Sequence, residues 1–260
     1  MILKNELSVL KSLIQYRLFS AKSTFIDDLI DKIIWVSGTI LVMGYLMKSF
    51  GLKDDYGIFM FGGILGVSGI FELWPMITKL LVDIEGDNLF GYHASLTCSL
   101  YTVFLAYIFA QTFYTILISV LILPLGKVLL WNQFLITNIS WVPLLGVIIV
   151  ANLLFATLAL WTASIVGSME KIGNVWMRVI WPMWFFGGFQ FSYASTKGVW
   201  PMFSYLMLIN PVTYATEGVR SALVGGNFLN SWLCIGVLLL FGFVMFFDSI
   251  RRFRSKLDLV

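Results

Sequence analysis

The sequence predicts an all-α polytopic membrane protein with six transmembrane helices, and three observations carry that expectation. Of its 260 residues, 59% are hydrophobic and only 12% are charged, where a soluble domain carries about 25%; mean hydropathy is +0.90. Apolar runs of near-spanning length recur from Ile33 to Phe247, and about 20 apolar residues carry a helix across a bilayer. Segments of ~10 residues with alternating polarity, the mark of a membrane β-barrel, are absent. The net charge of +3 is small and unevenly placed, so it bears on topology and points to no nucleic-acid partner.

Residues 1–32 read as an amphipathic interfacial helix. Leu3, Leu7, Leu10, Leu13 or Ile14, and Leu18 recur at helical spacing, while Lys4, Lys11, Arg17 and Lys22 fall largely elsewhere. Without a continuous apolar core or a small-residue cleavage site, the stretch does not read as a signal peptide. Its alternative is a soluble helix packed on a partner. Asp27, Asp28 and Asp31 precede the first span and, with Ser23 and Thr24, form a cluster suited to starting its helix.

Residues 33–250 then divide into spans at about 33–50, 56–81, 96–122, 142–165, 175–191 and 232–250. In the second span, Gly62 and Gly66 have the small-xxx-small spacing of close helix packing, and Pro75 is expected to bend the lower part. Glu72 is an intramembrane carboxylate, a functional candidate by default; its plainer reading is a side chain that reaches the interface or pairs with Lys79 two turns on. The third span is expected to close at Pro124, and Trp131 and Trp141 suit an interface belt. Residues 251–260 are a basic tail.

Between spans five and six lies residues 201–226, PMFSYLMLINPVTYATEGVRSALVGG. The eight residues 202–209 before Asn210 are too few to cross a membrane. Asn210 suits an N-cap and Pro211 the first helical position, so residues 213–224 read as a short amphipathic helix closed by Gly225. Two short pieces joined by an Asn-Pro turn predict a re-entrant hairpin. With six spans the termini share one side, which collects twelve of the seventeen Lys and Arg residues. The positive-inside bias therefore puts both termini in the cytoplasm and the hairpin on the outer face. A seventh span through it would carry Glu217, Arg220 and a mid-helix Pro211 in lipid. Cys98 and Cys234 fall on opposite sides, so no disulfide is expected.

Sources of energy or chemistry are missing. The sequence holds no G-x-x-x-x-G-K-[ST] phosphate loop, no G-x-S-x-G elbow and no H-E-x-x-H. His93, the only histidine, has no cluster of metal ligands around it. Glu72 is alone, so no proton relay is visible, and the two halves show none of the repeats usual in ion-coupled carriers. Such a chain is one part of a machine whose motor is elsewhere.

Residues 209–223, INPVTYATEGVRSAL, resemble the N-P-[LV]-T-Y-x-x-[ED]-x-x-R-x-A-[LV] signature of the ABC-2 type permeases, the membrane subunits of bacterial ABC exporters. The likeness in layout covers essentially the whole chain. It implies a permease in the bacterial cytoplasmic membrane that moves a hydrophobic or amphiphilic cargo outward, such as a drug, a lipid or a lipid-linked glycan. Its partners would be an ABC ATPase subunit and a second permease chain, forming a homodimer or a pair with a sister chain, in contact with membrane lipid. ATP and Mg would be held by the ATPase, and this chain would bind no cofactor. The inner loop at about 82–95 would couple to the ATPase through Glu85, Gly86, Asp87, Asn88 and Phe90. It departs from the commoner E-[RK]-E-x-G-T pattern, lacking the basic residue and the Thr.

On the hairpin, the resemblance points to Asn210, Pro211, Tyr214, Glu217 and Arg220. Asn210 and Pro211 are expected to shape the turn. Glu217 and Arg220, three residues apart, can pair. They are either an outer gate at the dimer seam or an exposed pair worth ~0.3–0.5 kcal/mol. The aromatics around span five, among them Trp181, Trp184 and Phe185, either line a cargo path or simply pack. The competing classes are an integral-membrane lipid-modifying enzyme, which would need a catalytic partner for His93, and an ion-coupled carrier resting on Glu72.

Overall fold

The computed structural model describes residues 2–85, 99–131 and 133–257, and among these every regular element is helical. Four helices are long and apolar enough to cross a membrane, and a bent pair makes a fifth crossing if counted as one span. The chain runs α1 (Ile2–Ala21), α2 (Phe25–Ile40), α3 (Tyr56–Gly66), α4 (Leu73–Glu85), α5 (Leu100–Leu129), α6 (Trp141–Val166), α7 (Ile172–Val175), α8 (Trp181–Phe186), α9 (Tyr193–Val199), α10 (Pro201–Met207), α11 (Pro211–Leu223) and α12 (Ser231–Leu257).

The N-terminal segment is two helices where the sequence suggests one. α1 ends at Ala21, and Lys22–Thr24 turns the chain into α2. The first crossing therefore starts at Phe25, continuing through a π turn (Leu41–Tyr45) and a 3-10 turn (Leu46–Phe50). Asp27 and Asp28 occupy its first turn, where the exposed N–H groups favour negative charge, so the Ser/Thr/Asp cluster does start the helix. The consequence is that Asp31 and Lys32 lie inside the first crossing. α1 packs along the start of α5. Its Glu6 carboxylate accepts hydrogen bonds from Thr102 Oγ1 at 2.8 Å and from the Ser99 N–H at 3.1 Å. The Thr102 bond, followed by the Ser99 backbone bond, holds Glu6 below the usual carboxylate range.

The second crossing is bent by 45°, but at Val67 and not at Pro75. A 3-10 segment, Ser68–Glu72, joins α3 to α4. Pro75 falls in the first turn of α4, where a missing N–H costs no hydrogen bond. The third crossing likewise runs through Pro124 to Leu129, because one proline removes a single ladder bond from a helix held on both sides by neighbours. The fourth follows expectation closely. At the expected fifth span, a 3-10 turn (Met169–Lys171), α7, a π turn (Trp176–Ile180) and α8 form a continuous helical run from Met169 to Phe186, which is not among the helices long and apolar enough to cross.

The core forms where α3, α6, α11 and α12 meet. The Gly62/Gly66 spacing serves this junction, with α11 as partner. A Cβ on Gly66 would stand 2.7 Å from Thr216 Cα, and one on Gly62 2.8 Å from Arg220 Cγ. Both distances are below contact, so α11 sits against bare α3 backbone. Gly66→Ala is expected to destabilise the protein by about 1–3 kcal/mol through overpacking. Gly38→Ala, where a Cβ meets nothing within 4 Å, is expected to be neutral or stabilising by up to about 1 kcal/mol. Thermal unfolding of the purified chain in detergent compares the two.

Candidate functional site

Asn210 makes the hairpin turn. Its Oδ1 accepts from the Val212 N–H at 3.0 Å, capping α11, while its Nδ2 donates to the Met183 carbonyl at 2.6 Å. One side chain thus starts the helix and ties it to α8. Pro211 follows at the first helical position. Thr213 Oγ1 donates back to Met207, Tyr214 OH to Leu208 and Thr216 Oγ1 to Gly187, at 2.7–2.9 Å. Every residue from Pro211 to Arg220 is buried. Over that stretch the short amphipathic helix of the sequence therefore has no water-facing side: its polar side chains are spent on backbone carbonyls and N–H groups of the segments around it.

Arg220 is the largest fully buried side chain in the described structure. Its Nη1 donates to Gly188 O at 2.6 Å and Phe191 O at 3.3 Å, its Nη2 to Phe189 O at 2.6 Å, and its Nε to Phe59 O at 3.0 Å. The Phe59 ring covers the guanidinium at 3.6 Å. Residues 187–191 follow the end of α8, and Gly188 has φ +72°, a conformation glycine adopts without strain. Helix ends leave carbonyls without intrahelical partners and favour positive charge. Arg220 satisfies those carbonyls from a distance of some thirty residues in sequence.

Glu217 is also fully buried, yet it stands 3.9 Å from Arg220 Nη1, beyond a hydrogen bond. Its oxygens accept instead from the Tyr193 N–H at 3.0 Å and the Leu229 N–H at 3.3 Å. The reading as an exposed pair is overturned, because both side chains are at 0% exposure. The pair is buried and is also two tethers: Arg220 holds the turn after α8 and Glu217 holds the start of α9 and the approach to α12.

Glu72 pairs with Lys32 at 3.1 Å, and not with Lys79. Lys32 Nζ also donates to Ser68 O at 3.0 Å, beside the bend of the second crossing, and lies 4.9 Å from the Phe71 ring. Lys79 is exposed. The partner was hidden from sequence because Lys32 falls before the first apolar run. Ser68 Oγ continues the polar contact to Ser119 Oγ at 2.7 Å, and Asn152 Nδ2 reaches Ser119 from α6 at 3.5 Å.

Beside this pair, rings form a continuous wall. Trp35 meets Phe71 at 4.4 Å, Phe71 meets Trp184 at 6.2 Å, and Trp184 meets Phe189 at 5.1 Å. Trp181 and Phe185 extend it to an exposed edge. Sequence reasoning picked out the span-five aromatics but missed Trp35 and Phe71, which belong to other crossings. Of the expected inner-loop residues, Glu85 ends α4, exposed, and accepts from the Met169 N–H at 3.0 Å, joining two loops of one side. Gly86, Asp87, Asn88 and Phe90 lie outside the described residues, as do His93 and Cys98; Cys234 is a buried free thiol.

Removing Arg220 strands several carbonyls together with a buried carboxylate, so Arg220→Ala is expected to cost about 3–5 kcal/mol. Arg220→Lys should recover little, since an ammonium cannot span four carbonyls in a plane. Lys32→Met alone should cost about 3 kcal/mol, whereas Lys32→Met with Glu72→Met should return close to the parent, as replaced buried ion pairs do. Thermal unfolding in detergent reads all four variants. The ABC-2 type transporter family model matches residues 10–224. No curated protein matches the chain.

Proposed function

Because the chain belongs to the ABC-2 type transporter family, as the membrane-embedded permease of an ABC transporter, we propose that it works as half of an exporter. Two such chains enclose a path for a hydrophobic or amphiphilic cargo across the bacterial cytoplasmic membrane. A separate ATPase subunit binds the ATP and Mg and docks on the inner loop around Glu85. The match over residues 10–224 carries this reading; the cytoplasmic termini, the six-span count and the interfacial placement of α1 rest on the basic-residue distribution and on the exposed Leu7 and Phe19 of α1.

The mechanism is a population shift. ATP-driven closure of the ATPase pair favours one arrangement of the permease pair by the difference in binding free energy between the two arrangements. On the outer side, Asn210, Glu217 and Arg220 tie α8, α9, α11 and the approach to α12 into one body. The hairpin therefore gates as a unit, with Tyr214 and Pro211 fixing its turn. The aromatic wall from Trp35 to Phe185 supplies the apolar side of the cargo path.

The purified chain is expected to hydrolyse no ATP alone, and to support ATP-dependent cargo movement in vesicles once joined to its ATPase. Robust hydrolysis by the lone chain overturns the assignment. Glu217→Gln and Arg220→Gln are expected to lower transport at least tenfold in protein that still inserts; normal transport by both ends the gate reading and leaves the family assignment standing.

A further inference from the structure

The C-terminal end of α12 and the first turn of α5 enclose a cleft of about 360 Å³, within the size range of small-ligand sites. Nothing in the transport reading uses it. Tyr101 lines it from α5, and Phe247, Ile250, Arg251, Arg254 and Ser255 line it from α12. Both arginines are exposed, and neither has an ion pair among the described residues. The described acidic side chains on these elements and on α1 beside them are already engaged. Asp248, three residues before Arg251, accepts from Arg252 Nε and from Trp161 Nε1, each at 2.7 Å. Glu6 accepts from Thr102 and Ser99. Asp258, four residues after Arg254, lies outside the described residues, so Arg251 is the firmer of the two cations. Arg251, Arg252, Arg254 and Lys256 against Asp248 and Asp258 leave a net charge of +2 over residues 248–258, wherever Asp258 points.

The level of the cleft narrows its ligand. Trp232, exposed near the other end of α12, suits the opposite membrane interface. From there to Arg251 the helix rises about 28 Å, close to the ~30 Å of a bilayer's hydrocarbon. Arg251 therefore stands where the hydrocarbon ends, and Tyr101 joins it from the N-terminal end of α5. Toward the membrane centre the same face of α12 is apolar and open. Leu240, Phe243, Phe247, Arg251 and Arg254 follow one another at three- and four-residue spacing. The first three are exposed, and the Phe243 and Phe247 rings meet at 4.5 Å. An apolar stripe thus runs without interruption into the two free cations.

We propose that this cleft holds the headgroup of an anionic phospholipid. Arg251 is its principal phosphate contact and Arg254 the second, and the acyl chains lie along Leu240, Phe243 and Phe247. Guanidinium donors match the geometry of phosphate oxygens, and a zwitterionic lipid brings a cation of its own against two arginines. A soluble phosphate ester would meet the same arginines but leave the apolar stripe uncovered, so the stripe favours the lipid. The site rests on this cleft and its test reads lipid binding, so it stands or falls apart from the transport assignment.

Native mass spectrometry of the full chain in neutral detergent, titrated with phosphatidylglycerol and with phosphatidylcholine, tests it. Phosphatidylglycerol should bind about tenfold more tightly. Arg251→Gln should weaken its binding about fivefold, the worth of one basic residue at an anionic surface, and Arg251→Lys should retain most of it. Arg251→Gln combined with Arg254→Gln should bring the two lipids level. Lys22→Gln removes an exposed charge outside the cleft and should change nothing. Glycerophosphoglycerol should fail to displace the lipid; displacement makes the ligand a soluble phosphodiester and overturns the lipid assignment. Equal affinity of the parent for the two lipids overturns the site. So does an equal loss in Lys22→Gln, which would mean diffuse attraction, or unchanged phosphatidylglycerol affinity in Arg251→Gln. If that variant instead loses a co-purifying ATPase, the cleft belongs to a protein partner. The exposed position of Arg251 leaves misfolding no part in these outcomes.

Discussion

A guanidinium with no water around it has to find a partner for its N–H donors inside the protein, and Arg220 finds four carbonyls and an aromatic face. Much of the structure around the hairpin is arranged to let it do so. The turn at residues 187–191 is open enough to present three carbonyls in one direction, and Gly188 supplies the left-handed backbone that this shape requires. α3 carries Gly62 and Gly63 where any side chain would strike the arginine. Glu217, one turn earlier on α11, extends the same logic to the start of α9 and the approach to α12. A charged helix can lie at membrane depth because protein carbonyls and N–H groups, and not lipid, surround it.

The region around the bend repeats the principle with different parts. Lys32 donates to the Ser68 carbonyl beside the bend, and Glu72 neutralises Lys32. Without Lys32, Glu72 would stand as an unpaired, largely buried carboxylate. The pair also fixes α2 to the bend. Two buried cations, each bound to backbone carbonyls beside an irregular segment, meet the aromatic wall: Lys32 lies 4.9 Å from the Phe71 ring and Arg220 donates to the Phe189 carbonyl.

How far the sequence could be read depended on the range of the physics involved. The Asn-Pro turn was legible because N-capping acts over two residues, and Asn210 does cap α11. The apolar helices α6 and α12 were legible because their apolar runs are uninterrupted. Pro75 and Pro124 misled for a shared reason: a proline bends a helix only where its missing N–H and its ring are uncompensated, and compensation comes from neighbours. The start of the first crossing was missed because Asp27, Asp28, Asp31 and Lys32 look like interface residues until Lys32 is seen against Ser68 and Glu72.

The sequence by itself determined the helical membrane class, the family and the Asn-Pro turn with its cap, since composition, local spacing and capping are properties of neighbouring residues. Only the tertiary structure decided what those residues do. Glu217 and Arg220 are three apart and were candidates for a pair; they do pair at 3.9 Å, but burial gives each its hydrogen bonds to carbonyls or N–H groups distant in sequence, so each is also a tether. Glu72 had a nearby lysine and took a distant one, because the bend at Val67 turns it toward α2. The energy of a buried charge depends on which groups surround it in space, and that neighbourhood is assembled only when the helices pack.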